Sequence, residues 1–267
     1  MAGDATLAVA RHLARVDQAV AGGATESAEH RALRDRWHEF STPGPSATDA
    51  IVDGLVSGRD ADFAILRTAA LVDALATPAA RAEVKRRIAA GILPALLHTY
   101  ADTADANYDQ AREAYDDVAR QLTKALGAAD PDAAPEAIMR QPKTVSNAWA
   151  SVPVLVKKLE QAADQLGQVA NLAGIENTDH ATVQLALTVD ARGAHRRRVW
   201  DAWQSTTGRA GRWGALVEVG AKLAAPALAR VRPYRMPKPV EYRQVAVPGA
   251  LIAYRLEPID PEDNARD

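Results

Sequence analysis

The residues best suited to chemistry in this chain are arginines. Arg192, Arg196, Arg197, Arg198, Arg209 and Arg212 are interleaved with Trp200, Trp203 and Trp213 and with Gly208, Gly211 and Gly214. From Asp190 to Arg243 there are twelve Lys/Arg against four Asp/Glu, although the 267-residue chain carries a net charge of only −2. The remainder is therefore acidic. Guanidinium groups grip phosphate oxygens as a fork, and aromatic faces stack on bases. Glycines let backbone amides approach an anion. The six arginines are thus candidates for anion or nucleic-acid contact. Two plainer fates compete with that role. The charge can be solvated or neutralised within the chain, or the basic face can dock on an acidic face of another protein subunit.

Other chemistries find less support. Gly208, Gly211 and Gly214 follow a basic helix rather than an apolar strand, and their spacing is not that of a dinucleotide or phosphate loop. Cysteine is absent, which removes thiolate metal sites, disulfides and a Cys nucleophile. No Gly-x-Ser-x-Gly elbow occurs, and Asp179-His180 beside Thr178 and Thr182 does not make a triad by adjacency. The histidines lack the spacing of a zinc-hydrolase helix. Glu26 and His30 are four apart and Asp35 and His38 three apart, and a surface position is the expectation for both pairs. Asp102, Asp105, Asp109, Glu113, Asp116 and Asp117 read as a solvated helix face without a calcium-loop pattern. No catalytic residue, metal site or cofactor is expected, and the protein is expected not to be an enzyme.

Long helices must position these residues. Much of the 48% hydrophobic content is alanine, and aromatics make up 5%, so a mainly α protein with close helix contacts is expected. Pro94, Leu97, Ala101, Ala104, Tyr108, Ala111, Tyr115, Val118, Leu122 and Ala125 alternate in steps of three and four. Val152, Leu155, Leu159, Ala162, Leu166, Val169 and Ala173 do the same. Such seams need a partner helix. The pattern predicts a helical bundle whose long antiparallel hairpin pairs 92–126 with 151–173, Ser151 capping the second helix. Gly91 and Pro94 should bend the first helix. Tyr108 and Tyr115 are expected to pack with their hydroxyls reaching the edge. The connector from Gly127 to Trp149 is expected to be irregular, with a short helix near Glu136–Arg140.

Before the hairpin, helices are expected over Thr6–Val20 and Ser27–Phe40. A third carries Ile51, Val52, Leu55 and Val56 behind Thr48. A fourth, capped by Asp60, is expected to bury Phe63, Leu66, Ala70 and Leu75. After Asn177 the alternation of Val183, Leu185, Leu187 and Val189 predicts a strand. A short helix follows over Ala194–Gln204, then another through Trp213, Leu216, Gly220, Leu223 and Ala227. Arg232–Pro239 is extended, basic and proline-rich. Strands are expected at Val240–Val247 and Ala250–Leu256, turning at Pro248-Gly249 and joining the earlier strand. The domain expectation is a bundle at 1–176, a small basic α+β region with two or three strands at 177–257, and a loose acidic tail at 258–267.

No apolar run reaches about 18 residues and no signal peptide is visible, so no membrane segment is expected. The compartment expected is cytoplasmic. The alanine- and arginine-rich style is that of a high-GC genome, such as an actinobacterium or its phage. Two seams, opposed charge and missing site chemistry favour a structural or assembly protein with protein-subunit partners, as a homo- or hetero-oligomer. A tailed-phage virion or its assembly is one version. The alternative is a nucleic-acid-binding protein using residues 192–213.

Overall fold

The computed structural model describes residues 4–42, 46–58, 62–246 and 254–263. The protein is mainly α-helical, with a long helical hairpin and a small C-terminal region carrying two two-stranded antiparallel sheets. Compact packing divides the chain into two units, Met1–Thr103 and Ala104–Asp267, and the break falls inside one long helix.

The first unit contains α1 (Ala5–Ala21), α2 (Ala28–Ser41), α3 (Ala47–Ser57), α4 (Phe63–Leu75) and the first half of α5 (Pro78–Ala128). Asp4 caps α1 by accepting from the Thr6 amide. Ser27 caps α2 by accepting from the His30 amide, and its hydroxyl donates to the Thr99 carbonyl of α5 at 2.8 Å. Val9, Trp37, Ala89 and Leu96 form the core, with Leu13, Leu33, Ile92 and Leu93 partly buried against it. Here α5 departs from the heptad seam. Leu97 is 52% exposed, whereas Leu96 and Tyr100 are buried. An α-helix turns every 3.6 residues, so a strict 3.5-residue stripe drifts around it, and α1 and α2 take the adjoining stripe. The helix runs on through Gly91 and Pro94.

Helices α3 and α4 pack on each other but lie largely in the open. Ser46, rather than Thr48, caps α3 by accepting from the Asp49 amide. Asp62 caps α4 by accepting from Ala64 and Ile65; Asp60 lies outside the described residues. The burial expected for α4 does not occur. Phe63, Leu66 and Ala70 are half-buried and no residue of α4 is buried.

In the second unit the remainder of α5 keeps its seam. Tyr108, Ala111, Tyr115, Leu122 and Ala125 are buried, and Val118 is half-buried beside buried Ala119. A short α6 (Pro135–Ile138) leads to α7 (Lys143–Leu172), which buries Val152, Leu155, Leu159, Leu166 and Val169. Ser151 does not cap this helix. The helix starts at Lys143 because Pro142 ends the preceding extended turn, and Pro153 is carried inside at the loss of one backbone bond. The Ser151 hydroxyl instead donates to the Ala148 carbonyl at 2.7 Å.

The expected strand at Ala181–Asp190 is a helix, α8 (Ala181–Thr188), leaving only Val189–Asp190 as β1. The alternating burial is present: Val183, Leu185 and Leu187 are buried and Gln184 and Ala186 half-buried. A short helix covered on several sides does not show a 3.6-residue burial period, so the alternation misled. Strand β1 pairs with β2 (Lys222–Leu223), Val189 opposite Leu223. Between them lie α9 (Arg196–Trp203) and α10 (Gly211–Glu218). The helix expected to run on to Ala227 ends at Glu218, followed by Gly220 with φ +86°. Strands β3 (Glu241–Ala246) and β4 (Tyr254–Ile259) form a separate hairpin, Glu241 opposite Ile259. The earlier strand therefore does not join them. The expected turn at Pro248-Gly249 lies outside the described residues.

Candidate functional site

The six arginines singled out from the sequence all lie in the second unit, and most already have partners there. Arg192 grips Asp190 with two side-chain bonds of 2.8 and 2.6 Å, which lower the Asp190 pKa. Arg196, at the start of α9, pairs with Glu262, and Arg197 pairs with Asp260 and the Lys238 carbonyl. Arg212 lies 3.5 Å from Glu160 of α7, with its guanidinium over the Trp203 ring. Arg209 donates from its side chain to the Pro131 carbonyl and lies 3.6 Å above the Trp149 ring. Arg198 is exposed.

The acidic end of the chain therefore does not hang loose over its described residues. Asp260, Glu262 and Asp263 fold back on α9, where Asp263 meets His195 at 3.1 Å. Glu262 also accepts from the Lys238 amide at 2.9 Å, and that bond leads the lowering of its pKa. The Arg197 bonds pull Asp260 down to about 2. His195, Asp260 and Asp263 could converge on a cation, but Arg197 already occupies Asp260. The result is an ionic clasp between α9 and the segments flanking the β3–β4 hairpin.

The glycine-rich turn also finds its anion inside the chain. Gly208 has φ +76°, and the following Arg209 amide donates to the Asp132 carboxylate at 2.8 Å. A Cβ on Gly208 would come within 2.5 Å of that carboxylate. Amides approaching an anion, as the glycine spacing suggested, is what occurs; the anion is a side chain of the connector. The tryptophans form a core: Trp203 and Trp213 meet edge to face at 5.8 Å, and the Trp213 indole donates to Glu160.

The seam tyrosines serve as ties as well as packing. The Tyr108 hydroxyl donates to the Pro226 carbonyl at 2.9 Å and Tyr115 to Thr188 at 2.7 Å. Burial pushes Tyr108 up to about 12 and raises Tyr115 well above its ordinary value. Asp116, expected on a solvated face, accepts from the Ala225 amide at 2.9 Å.

In the first unit the Glu26–His30 pair is buried, contrary to the expected surface position. Glu26 accepts from His30 Nδ1 at 2.6 Å, and His30 Nε2 faces His12 Nε2 at 3.0 Å. With Glu26 accepting from His30 Nδ1–H, a single proton is shared across the two facing Nε2 atoms of His30 and His12. Arg34 reaches the other Glu26 oxygen at 3.0 Å and Asp17 at 3.1 Å. The Tyr100 ring stands edge-on to both imidazoles. Burial, followed by the nearby His30 and Arg15, lowers His12 to about 4. This chain of polar groups pins α1 to α2. Its signal was present in the sequence: His12 sits among Val9, Leu13 and Val16, and His30 precedes Leu33 and Trp37 at helical spacing.

A second feature of the first unit is apolar. Val52, Leu55 and Val56 of α3, and Ile65, Leu71, Val72 and Leu75 of α4, are exposed; Leu55 reaches 67% and Val56 and Leu75 83%. No single helix among the described residues is long and apolar enough to cross a membrane. No family model, curated protein or solved structure matches the chain.

Proposed function

We propose that the protein is a non-enzymatic assembly element that works through protein–protein contacts, with α3–α4 as its docking hairpin. The reading rests on one observation: seven large aliphatic side chains on these two helices face solvent. Exposed apolar surface concentrated on one pair of helices is the usual mark of an interaction site. The simplest occupant is the same hairpin of a second copy, because an identical patch on each subunit is self-complementary about a two-fold axis. A tailed-phage particle, or its assembly in a high-GC actinobacterial system, is one setting consistent with this role.

Light scattering on the purified chain tests the proposal. Oligomers at micromolar concentration are expected, and Leu55→Asp with Leu71→Asp should shift the mass to the monomer. A strictly monomeric mass with no partner recovered by pull-down would sink the reading, as would hairpin-dependent binding to lipid vesicles. The nucleic-acid alternative has little spare charge to use, since Arg192, Arg196, Arg197, Arg209 and Arg212 are engaged within the chain.

A further inference from the structure

The second unit contains a cleft of about 950 Å³ between the β1 turn and the proline-rich segment. Six arginines line it: Arg112, Arg192, Arg196, Arg230, Arg232 and Arg235. Asp190 is the one carboxylate in the lining. Three of the arginines have acidic partners, Asp109 for Arg112, Asp190 for Arg192 and Glu262 for Arg196. Arg230, Arg232 and Arg235 are exposed; among the described residues none forms a salt bridge, although Arg235 lies near enough to Glu262 to help lower its pKa. Arg232 is held by donating to the Ala229 and Val231 carbonyls at 3.3 and 2.7 Å.

The cleft is held firmly. The Pro226 carbonyl is tied by Tyr108 and the Ala225 amide by Asp116. On the opposite side, the Tyr234 amide donates to Thr182 and its hydroxyl to the Arg196 carbonyl. Alanines, Val189, Pro226 and Pro233 complete the lining. Positive charge is thus concentrated around a cleft whose lining mixes arginines with small apolar groups, and it is only partly balanced by carboxylates of the chain.

We propose that this cleft binds a small ligand carrying two or more phosphate groups, which Arg230, Arg232 and Arg235 take up while the apolar lining receives the rest of the molecule. Several guanidiniums acting together suit phosphate, whose oxygens accept the paired N–H donors of each fork. A volume near the upper end of the usual range for small-molecule pockets exceeds what one inorganic phosphate fills. A nucleic-acid strand fits less well. Arginines that would extend the positive track along α9 and α10, Arg197 and Arg212, are tied to Asp260 and Glu160.

Calorimetric titration of the full chain with pyrophosphate, tripolyphosphate, ATP and short single-stranded DNA, each at low and high salt, tests the proposal. Saturable binding of a polyphosphate or ATP is expected. Tighter binding of ATP than of tripolyphosphate would show that the apolar lining contributes. The Arg230→Gln/Arg235→Gln variant leaves the Arg232 backbone bonds in place and should weaken binding at least about tenfold. The matching lysine variant should recover part of the affinity, because it keeps charge but loses the fork. Arg198→Gln, outside the cleft, should change nothing, and circular dichroism should show every variant folded.

The proposal is overturned if no phosphate compound binds by about 1 mM, or if the Gln double variant binds unchanged. DNA binding that depends on Arg198 as much as on Arg230 and Arg235 would assign the charge to nucleic acid instead. None of these results bears on the α3–α4 hairpin, which is read by mass.

Discussion

Individual side chains show how closely the charge is accounted for. Gly208 is the plainest case, because its φ of +76° disfavours a side chain and a Cβ there would push the Asp132 carboxylate off the Arg209 amide. Gly208→Ala should destabilise the second unit by about 1 kcal/mol or more, read as a lowered denaturation midpoint. His12 gives a pH dependence located in the first unit. Its folded pKa of about 4 lies below the ordinary histidine value of 6.5. The unfolded chain therefore takes up the proton first, and stability should fall as pH drops through the ordinary histidine range towards 4. Hydrogen exchange at α1 and α2 amides should accelerate over that window, and His12→Gln should flatten the response. An equal response in the variant would remove His12 as the cause. The starts of α1 and α2 could be read to within a residue or two, but the caps expected at Thr48 and Ser151 are not the ones used, because a capping residue type recurs at several neighbouring positions. Burial of Glu26 could not be read, because a carboxylate–imidazole pair looks the same in sequence whether water or α5 covers it.

At the scale of elements, the clasp ties α9 to Lys238 and to Asp260–Asp263, the residues that flank the β3–β4 hairpin. Glu262→Gln should speed exchange of β3 and β4 amides while α10 keeps its protection; uniform exchange across both would refute a local role. Asp260 and Glu262 both have pKa values lowered in the fold. Their contribution is complete above the ordinary carboxylate range and is lost as pH falls through the folded values, towards about 2 for Asp260. The clasp should thus survive the pH window that loosens α1 and α2. The long hairpin could be read from its heptads, since a 3.5-residue repeat is a strong signal. Helix α8 could not: eight residues with period-two apolarity suit either structure, and packing chose the helix.

For the whole molecule, the two proposed binding modes should respond oppositely to salt. Association through the apolar α3–α4 hairpin should persist or strengthen as salt rises, because burial of aliphatic surface is not screened. Anion binding at Arg230, Arg232 and Arg235 should weaken over the same range. Sedimentation velocity and calorimetry across one salt series read both effects. A mass that collapses with salt would point to a charged interface instead.

Composition and heptad spacing were enough to specify a mainly helical chain and its long hairpin, because these depend on residues within a turn or two of each other. Partner choice among distant charges was not specified. Arg196 and Glu262, or Arg209 and Asp132, are separated by long stretches of chain, and nothing in their spacing selects one acid over another. Tertiary packing made those pairings, buried the Glu26–His30–His12 chain, and left the α3–α4 aliphatic groups and three arginines facing solvent. The six arginines marked at the outset mostly serve the fold; the three proposed to meet an outside anion lie later, at Arg230 and on the proline-rich segment after it.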